Sequence, residues 1–363
     1  MNRRVLHVFG IMNRGGAELR TLDLMRKMQP MGYEFHFCVL SGQAGVLDEP
    51  IRAMGGRVHY CPLNRTFPWR FVRLLKSEQI HILHSHVALP SGLMVLLGRL
   101  AGVRLRIAHL RSSGQGSNDG LGRRLRDWIL RLSLACNSNK ILGVCPGALQ
   151  HVWPDWQDNA KCQVVFNGLE QRNVSLGDDF WQPLFERTGP VVINLARMDD
   201  VKNHLRQVDV FAEFCRLHAT ASMVFVGKEN PQIKEAMLDR ARHLECLESL
   251  FFAGEQADPL PYLAHADVML FPSKWEGLPG AVLEAASVGT PVLASHLPGT
   301  EDIAAQLPAV QLLDLSQDNR VWAQKLAALL TTSTQRASHQ ASFGRSHFLL
   351  SRTVAQLHAI YSS

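Results

Sequence analysis

The 363-residue chain predicts an α/β fold built from two doubly wound parallel sheets. Three observations carry this. In the first half, short apolar runs alternate with amphipathic stretches of helical period, a rhythm that pairs strands in parallel. The rhythm breaks at about Glu170 to Gly189, in a polar segment holding "SLGDDFWQP", and then restarts. The length is too great for one typical core and suits two domains of roughly 150–200 residues.

In order, Val5–Phe9 predicts a strand and Ala17–Met28 a helix with Leu19, Leu22 and Met25–Met28 on one side. Glu34–Leu40 follows as a strand, then a helix near Val46–Met54, a strand at Arg57–Cys61 and a helix at Trp69–Lys76. Ile80–His84 is the next strand, Pro90–Ala101 a small apolar helix, and Arg104–His109 a further strand. After the break come "PVVINLARM", "ASMVFVGK", "SLFFAG", "DVMLFPS" and "TPVLAS", each strand-like and separated by helical stretches. Spaced apolar residues at Phe348, Leu349, Val354, Leu357 and Ile360 predict a terminal helix over Ser346–Tyr361. The expected domains are residues 1–170 and 171–345, with 346–363 as the terminal helix. Sheets of this kind bind ligands at the carboxyl ends of their strands.

Composition narrows the class. A 46% hydrophobic and 19% charged content is ordinary for a soluble globular protein. Seven scattered cysteines with no CxxC pair read as free thiols in a reducing cytosol. The start "MNRRVLHVFGIMN" reads as a first strand in place of a signal peptide, and no stretch of 18 apolar residues suggests a membrane span. Residues 1–170 hold 22 Lys+Arg against 11 Asp+Glu, a net +11, while 171–363 hold 16 against 21, a net −5. A basic half on an acidic one suggests an anionic surface or substrate for the first half, or else charges that are merely solvated.

The densest signal is "FPSKWEGLPGAVLEAASVGTPVLAS", Phe271 to Ser295. A helix is expected near Pro279, where the missing N–H is harmless. Glu276 then precedes the helix, while Glu284 lies about one and a half turns inside it. Free N–H groups around Leu278, Gly280 and Ala281, with the helix dipole, form an anion site. A sugar nucleotide, with hydroxyls at both ends of a diphosphate, would suit that arrangement. Alternatively, Glu276 is a loop charge and Glu284 a solvated helix residue. "INLARMDDVKNH" adds Arg197 and Lys202 just past an apolar strand, two cations suited to a diphosphate. "FGIMNRGGAELR" puts Gly15 and Gly16 before a helix, where backbone amides can approach an anion closely. It does not match G-x-G-x-x-G.

Taken together, "EGLPGAVLEA…GTPVLAS" resembles the E-x7-E signature of retaining GT-B glycosyltransferases of family 4, bacterial surface-polysaccharide type. The surrounding pieces agree in order across nearly the whole chain: "GGAE", "VVFNGLE", "ARMDDVKN", "FVGK" and "FAGEQADPLPYLAHADVMLFPS". The resemblance implies two Rossmann-like domains facing across a cleft, with the last helix crossing back to the first domain. It implies transfer of a hexosyl group from a nucleotide-sugar donor to a glycan or polyprenyl-diphosphate-linked acceptor, with retained configuration. Glu276 would bond the donor sugar's hydroxyls and Glu284 the ribose diol. Arg197 and Lys202 would grip the leaving diphosphate, completed by Leu278, Pro279 and Gly280. Gly15 and Gly16 would form the facing wall, with Gly227 of "FVGK" on the donor side. The chain departs from the family where "GRL" reads Leu195-Ala196-Arg197-Met198 and where a serine is replaced by Cys145.

His84 and His86 stand two apart in "HILHSH", and His109 ends the next strand. A metal reading lacks a third ligand. The resemblance puts His109 or His86 near the transferred sugar at the cleft rim, with Arg111 on the acceptor side; packing or capping is the alternative for both histidines. His84 reads as a packed residue. In Gly120–Ala135, Leu121, Leu125, Trp128, Ile129 and Leu132 fall at helical spacing among Arg123, Arg124, Arg126 and Arg131. The apolar stripe is expected to pack on the core, leaving the arginines for lipid headgroups.

No Asp-x-Asp occurs, so neither metal nor other cofactor is expected. No nucleic-acid partner is expected. An anionic membrane surface is a candidate partner, and the expected location is the cytoplasm, peripheral to the inner face of the plasma membrane. Two other functions stay open: a nucleotide-sugar epimerase of the same architecture, and a non-catalytic sugar or lipid-carrier binding subunit.

Overall fold

The computed structural model describes residues 3–111, 120–177, 179–186, 188–330 and 333–363, excepting the side chains of Leu121 and Ser333. The chain divides into two compact units, Met1–Glu170 with Leu350–Ser363, and Gln171–Leu349.

The first unit carries strands β1 (Arg3–Phe9), β2 (Tyr33–Val39), β3 (Arg57–Tyr60), β4 (Ile82–Ser85), β5 (Leu105–Leu110), β6 (Lys140–Gly143) and β7 (Cys162–Val164). They form one parallel sheet in the order β3-β2-β1-β4-β5-β6-β7. Val5 to Phe9 are all buried, because helices cover both faces of such a sheet. Alternation divides the strand between two cores. Val5 and Phe9 join Phe35, Phe37 and Met25, while Leu6 and Val8 join Phe67, Phe71 and Met94.

The second unit carries β8 (Val191–Leu195), β9 (Ser222–Val226), β10 (Leu250–Gly254), β11 (Val268–Phe271), β12 (Val292–Ser295) and β13 (Val310–Leu313). These are also parallel, in the order β10-β9-β8-β11-β12-β13. The α/β class expected from the alternating pattern is therefore what the chain forms. In each sheet the strand order reverses beside its first strand, between β1 and β4 and between β8 and β11. In sheets of this kind that reversal point, at the carboxyl ends of the strands, is where ligands bind.

Three expectations need correction. The terminal helix begins at Leu350, not Ser346, and its Leu357, Ile360 and Tyr361 pack into the core of the first unit beside Tyr33. The polar segment after Glu170, where the strand–helix rhythm breaks, is not polar throughout in its packing. Trp181 is 2% exposed, stacked on Phe185 and donating from its indole nitrogen to the His265 carbonyl at 3.3 Å, so aromatic burial fastens this stretch to the second unit. Asp178 and Arg187 of that segment lie outside the described residues.

The third correction concerns helix Leu121–Asn137, whose apolar stripe does not pack on the core. Leu125, Trp128, Ile129 and Leu132 are 59%, 60%, 51% and 50% exposed. The inward face instead holds Leu134 and Asn137, and Ser133 Oγ donates to the Gly92 carbonyl at 2.7 Å. A Cβ on Gly92 would collide with the Leu130 carbonyl oxygen, so this helix and helix Ser91–Ala101 meet backbone to backbone. That close crossing, with small and polar contacts, directs the large apolar residues outward. Leu121, also of the expected stripe, has its side chain outside the described residues.

Candidate functional site

In the second unit, three loops meet at the carboxyl ends of β8, β9 and β11. The loop after β8 runs beside the one after β9: Ala196 N donates to the Val226 carbonyl at 2.9 Å and Met198 N to the Lys228 carbonyl at 2.8 Å. Gly227 sits between them at φ +139°, and a Cβ there would overlap the Ala196 carbonyl oxygen. Only glycine permits so close an approach in that conformation. Arg197, next in the chain, is 74% exposed along its side chain, and its Nε donates to Asp199 Oδ2 at 2.8 Å.

Lys202 is held more firmly. Its backbone N donates to Asp199 Oδ1 at 3.2 Å, and Asn203 follows at φ +58°, reversing the chain into helix His204–Cys215. Lys202 Nζ pairs with Glu276 Oε1 and lies 5.5 Å from the centre of the Phe271 ring. The two side chains are 19% and 13% exposed. A cation from the β8 loop and a carboxylate from the β11 loop thus span the point where the strand order reverses.

Past Glu276, Leu278 and Pro279 are buried and Pro279 caps helix Gly280–Ser287. The first amide to find an acceptor in that helix is Leu283, on the Pro279 carbonyl at 3.4 Å. The N–H groups of Gly280, Ala281 and Val282 therefore have no partner within the helix and present its positive end. Pro279 shapes this turn but donates nothing. Glu284 is the fifth helical residue, about 1.1 turns in at 3.6 residues per turn. It is half-buried while Val282, Leu283, Ala285 and Ala286 around it are buried.

The other predicted residues lie in the first unit. Gly15 caps helix Gly16–Met28 and leaves room for Glu18, whose carboxylate folds back over the space a Gly15 Cβ would take. His86 follows β4, His109 lies near the end of β5 and Arg111 follows it, but the histidines are 8% and 2% exposed, within the interior and not at a rim. They belong to a buried network with His7, His84 and Tyr361.

Its protons can be assigned. Arg111 only donates, and its Nε lies 3.1 Å from His86 Nδ1, so that nitrogen accepts. His86 Nε2–H then donates to His7 Nδ1 at 2.9 Å, leaving the hydrogen of His7 on Nε2, which has no hydrogen-bond partner. Arg111 also donates to Asn167 Oδ1. In the second branch, Tyr361 OH meets His84 Nδ1 at 2.6 Å, and His84 Nε2 meets His109 Nδ1 at 3.1 Å.

Burial, reinforced by Arg111, pushes His7 down to about 3. Burial first and neighbouring positive groups second hold His84, His86 and His109 well below the usual histidine range. Arg111 itself is lowered to about 10 by burial, partly offset by Glu18. The third ligand that a metal reading of His84 and His86 lacked is present as His7, with all three ligand atoms within 4.8 Å of one another. Arg111 on His86 nonetheless makes this a poor seat for a dication.

Sequence reasoning missed His7, Tyr361, Glu18 and Asp199. Only Glu18 and Asp199 had a local signal, standing inside the quoted "GGAE" and "ARMDDVKN".

Residues 177–343 match the family model described as glycosyl transferases group 1, and residues 15–168 the glycosyl transferase 4-like domain. The chain is 31% identical over 363 residues to the capsular polysaccharide biosynthesis glycosyltransferase CapH of Staphylococcus aureus, covering 99% of each chain. It is 27% identical to the putative glycosyltransferase EpsF of Bacillus subtilis, covering 90% of this chain and 87% of that one. Among solved structures it resembles Anabaena Alr3699/HepE in complex with UDP, with a TM-score of 0.83, 14% identity and full coverage of both chains.

Proposed function

This chain belongs to the group 1 glycosyltransferases, with the GT-B fold, and we propose that it moves a hexosyl group from a nucleotide sugar to a glycan or lipid-linked glycan with retention of configuration. The reaction belongs, in this reading, to the assembly of a cell-surface polysaccharide. The observation that carries it is the convergence of Arg197, Lys202, Glu276 and the start of helix Gly280–Ser287 at the switch point of the second sheet.

In this reading the donor's diphosphate lies against the amides of Gly280 and Ala281, with Arg197 and Lys202 on its oxygens. Glu276 takes the sugar hydroxyls and Glu284 the ribose diol. As the acceptor hydroxyl attacks on the face the diphosphate leaves, negative charge grows on the leaving oxygen. A donor phosphate oxygen takes the acceptor's proton. The two cations and the helix terminus stabilise that charge, and such fixed electrostatics is the main catalytic contribution. Without an Asp-x-Asp, the positive charge comes from these groups, so transfer is expected to survive a chelator.

The enzyme's proposed place is the cytoplasmic face of the plasma membrane, bound peripherally to anionic lipid. The net +11 of residues 1–170 and the outward stripe of helix Leu121–Asn137 support this. Among the described residues no helix is long and apolar enough to cross a membrane.

The test is transfer from labelled nucleotide sugars, chosen by the thermal shift each donor produces, with the product's anomeric configuration read by NMR. Retained configuration supports the reading. Inversion overturns the stereochemistry, conversion of donor without acceptor favours the epimerase, and binding without product favours a carrier-binding subunit.

A further inference from the structure

Two neighbouring strands of the first unit bring a second histidine cluster together, away from the switch point. His36 on β2 and His59 on β3 share a face, with Cys38 paired in register to His59. His36 Nδ1 lies 3.1 Å from His59 Nε2 and 3.8 Å from Glu78 Oε2, which caps helix Phe67–Ser77. The ligand atoms of these three side chains all fall within 4.8 Å of one another. Ligands about 2.0–2.2 Å from a tetrahedral ion stand roughly 3.3–3.5 Å apart, so the spacing needs little adjustment.

A supporting shell is also present. Glu34 Oε1 lies 3.3 Å from the other nitrogen of His36, the carboxylate–histidine arrangement that orients metal ligands. His36 is buried, while His59 and Glu78 are half-buried and open to an ion from solvent. We propose that His36, His59 and Glu78 bind one zinc-class divalent ion, with Glu34 as the positioning carboxylate and water completing the tetrahedron.

Charge separates this cluster from the triad of His7, His84 and His86. There the nearest strong charge is the Arg111 guanidinium, whereas here two carboxylates face the imidazoles. Arg57 now touches both carboxylates, NH1 at 3.1 Å from Glu78 Oε2 and NH2 at 3.5 Å from Glu34 Oε1. Its side chain is 57% exposed and can withdraw into water when a dication takes its place. The ion would tie β2 and β3 to the end of helix Phe67–Ser77, stabilising the first unit without entering the transfer chemistry.

The experiment uses the full chain, stripped with chelator, dialysed and titrated with Zn²⁺ by calorimetry and with Co²⁺ by absorption. One equivalent should bind, with tetrahedral Co²⁺ bands, no sulfur-to-metal charge-transfer band, and a raised unfolding temperature. His59→Ala and Glu78→Ala, both at half-exposed positions, should abolish uptake while keeping wild-type circular dichroism. Glu34→Gln should weaken it by about 10–100-fold. Absence of stoichiometric binding, a thiolate band from Cys38 or Cys61, or uptake lost only in His7→Ala would each overturn the proposal.

Discussion

Lys202 and Glu276 join the carboxyl ends of β8 and β11 by a direct ion pair, across the point where the strand order of the second sheet reverses. The pair does more than brace the sheet. Each member is only partly buried, so a ligand can take either partner from the other. A diphosphate would draw Lys202, and a sugar hydroxyl would donate to the released carboxylate. In the proposed reading the ion pair would hold both groups ready, with one contact exchanged on binding.

Lys202→Ala should lower kcat by orders of magnitude under saturating donor, because it removes positive charge from the leaving group. Arg197→Ala should do the same. A Lys202→Ala/Glu276→Gln double variant should lose less than the sum of the single losses, since each single change strands a charged partner. Wild-type turnover in both single cation variants would refute the leaving-group role.

Glu284→Ala should weaken binding of the free nucleoside diphosphate. A hydrogen bond to a charged group contributes about 1.5–3 kcal/mol, which is roughly 10–150-fold in affinity. Calorimetry measures this directly. Glu284 is half-buried on a short helix, so circular dichroism of the variant must match wild type. Unchanged affinity with an intact fold would remove Glu284 from the ribose.

The buried histidines predict an acid-sensitive first unit. His7, His84, His86 and His109 stay neutral in the folded chain well below pH 6.5, whereas unfolded histidines protonate near 6.5. The unfolded state then binds more protons at low pH. Stability from these groups is complete above about pH 6.5 and lost as pH falls toward the folded value, about 3 for His7. Each can contribute up to about 1.4 kcal/mol per pH unit in that window. Urea unfolding between pH 7.5 and 5 should show a midpoint that falls once the pH drops below about 6.5, and His7→Phe should flatten that slope by about one proton. A midpoint independent of pH would contradict burial of neutral imidazoles.

What the sequence made legible follows from the range of the interactions. The strands of both sheets are readable because burial on two faces demands apolar runs, and Glu276, Glu284, Arg197 and Lys202 because each adjoins such a run. The Lys202–Glu276 pair itself joins residues 74 apart in sequence, and His84 and Tyr361 are 277 apart, so no local pattern announces them. The orientation of helix Leu121–Asn137 was hidden for another reason. Periodicity finds an apolar stripe but not what it faces, and here Gly92 and Ser133 took the inward side.

That outward stripe makes the last prediction. Leu125, Trp128, Ile129 and Leu132 stand exposed on a helix carrying Arg123, Arg124, Arg126 and Arg131, and Leu100 on helix Ser91–Ala101, packed against it, is 66% exposed. Entering a bilayer interface would remove these side chains from water, at about 1.5–3 kcal/mol for a large one fully buried. Each arginine near an anionic surface adds about 1 kcal/mol, within a Debye length of roughly 8–10 Å. Both terms act on one helix, and separate substitutions can tell them apart. In vesicle flotation the chain should rise with anionic lipid at low salt and less so at high salt. A Trp128→Ser/Ile129→Ser variant keeps every charge and should lose most of that binding at either salt. An Arg124→Gln/Arg131→Gln variant should bind more weakly with a smaller dependence on salt. Equal recovery on neutral and anionic vesicles, or full binding by the serine variant, would rule out this helix as the membrane-facing element.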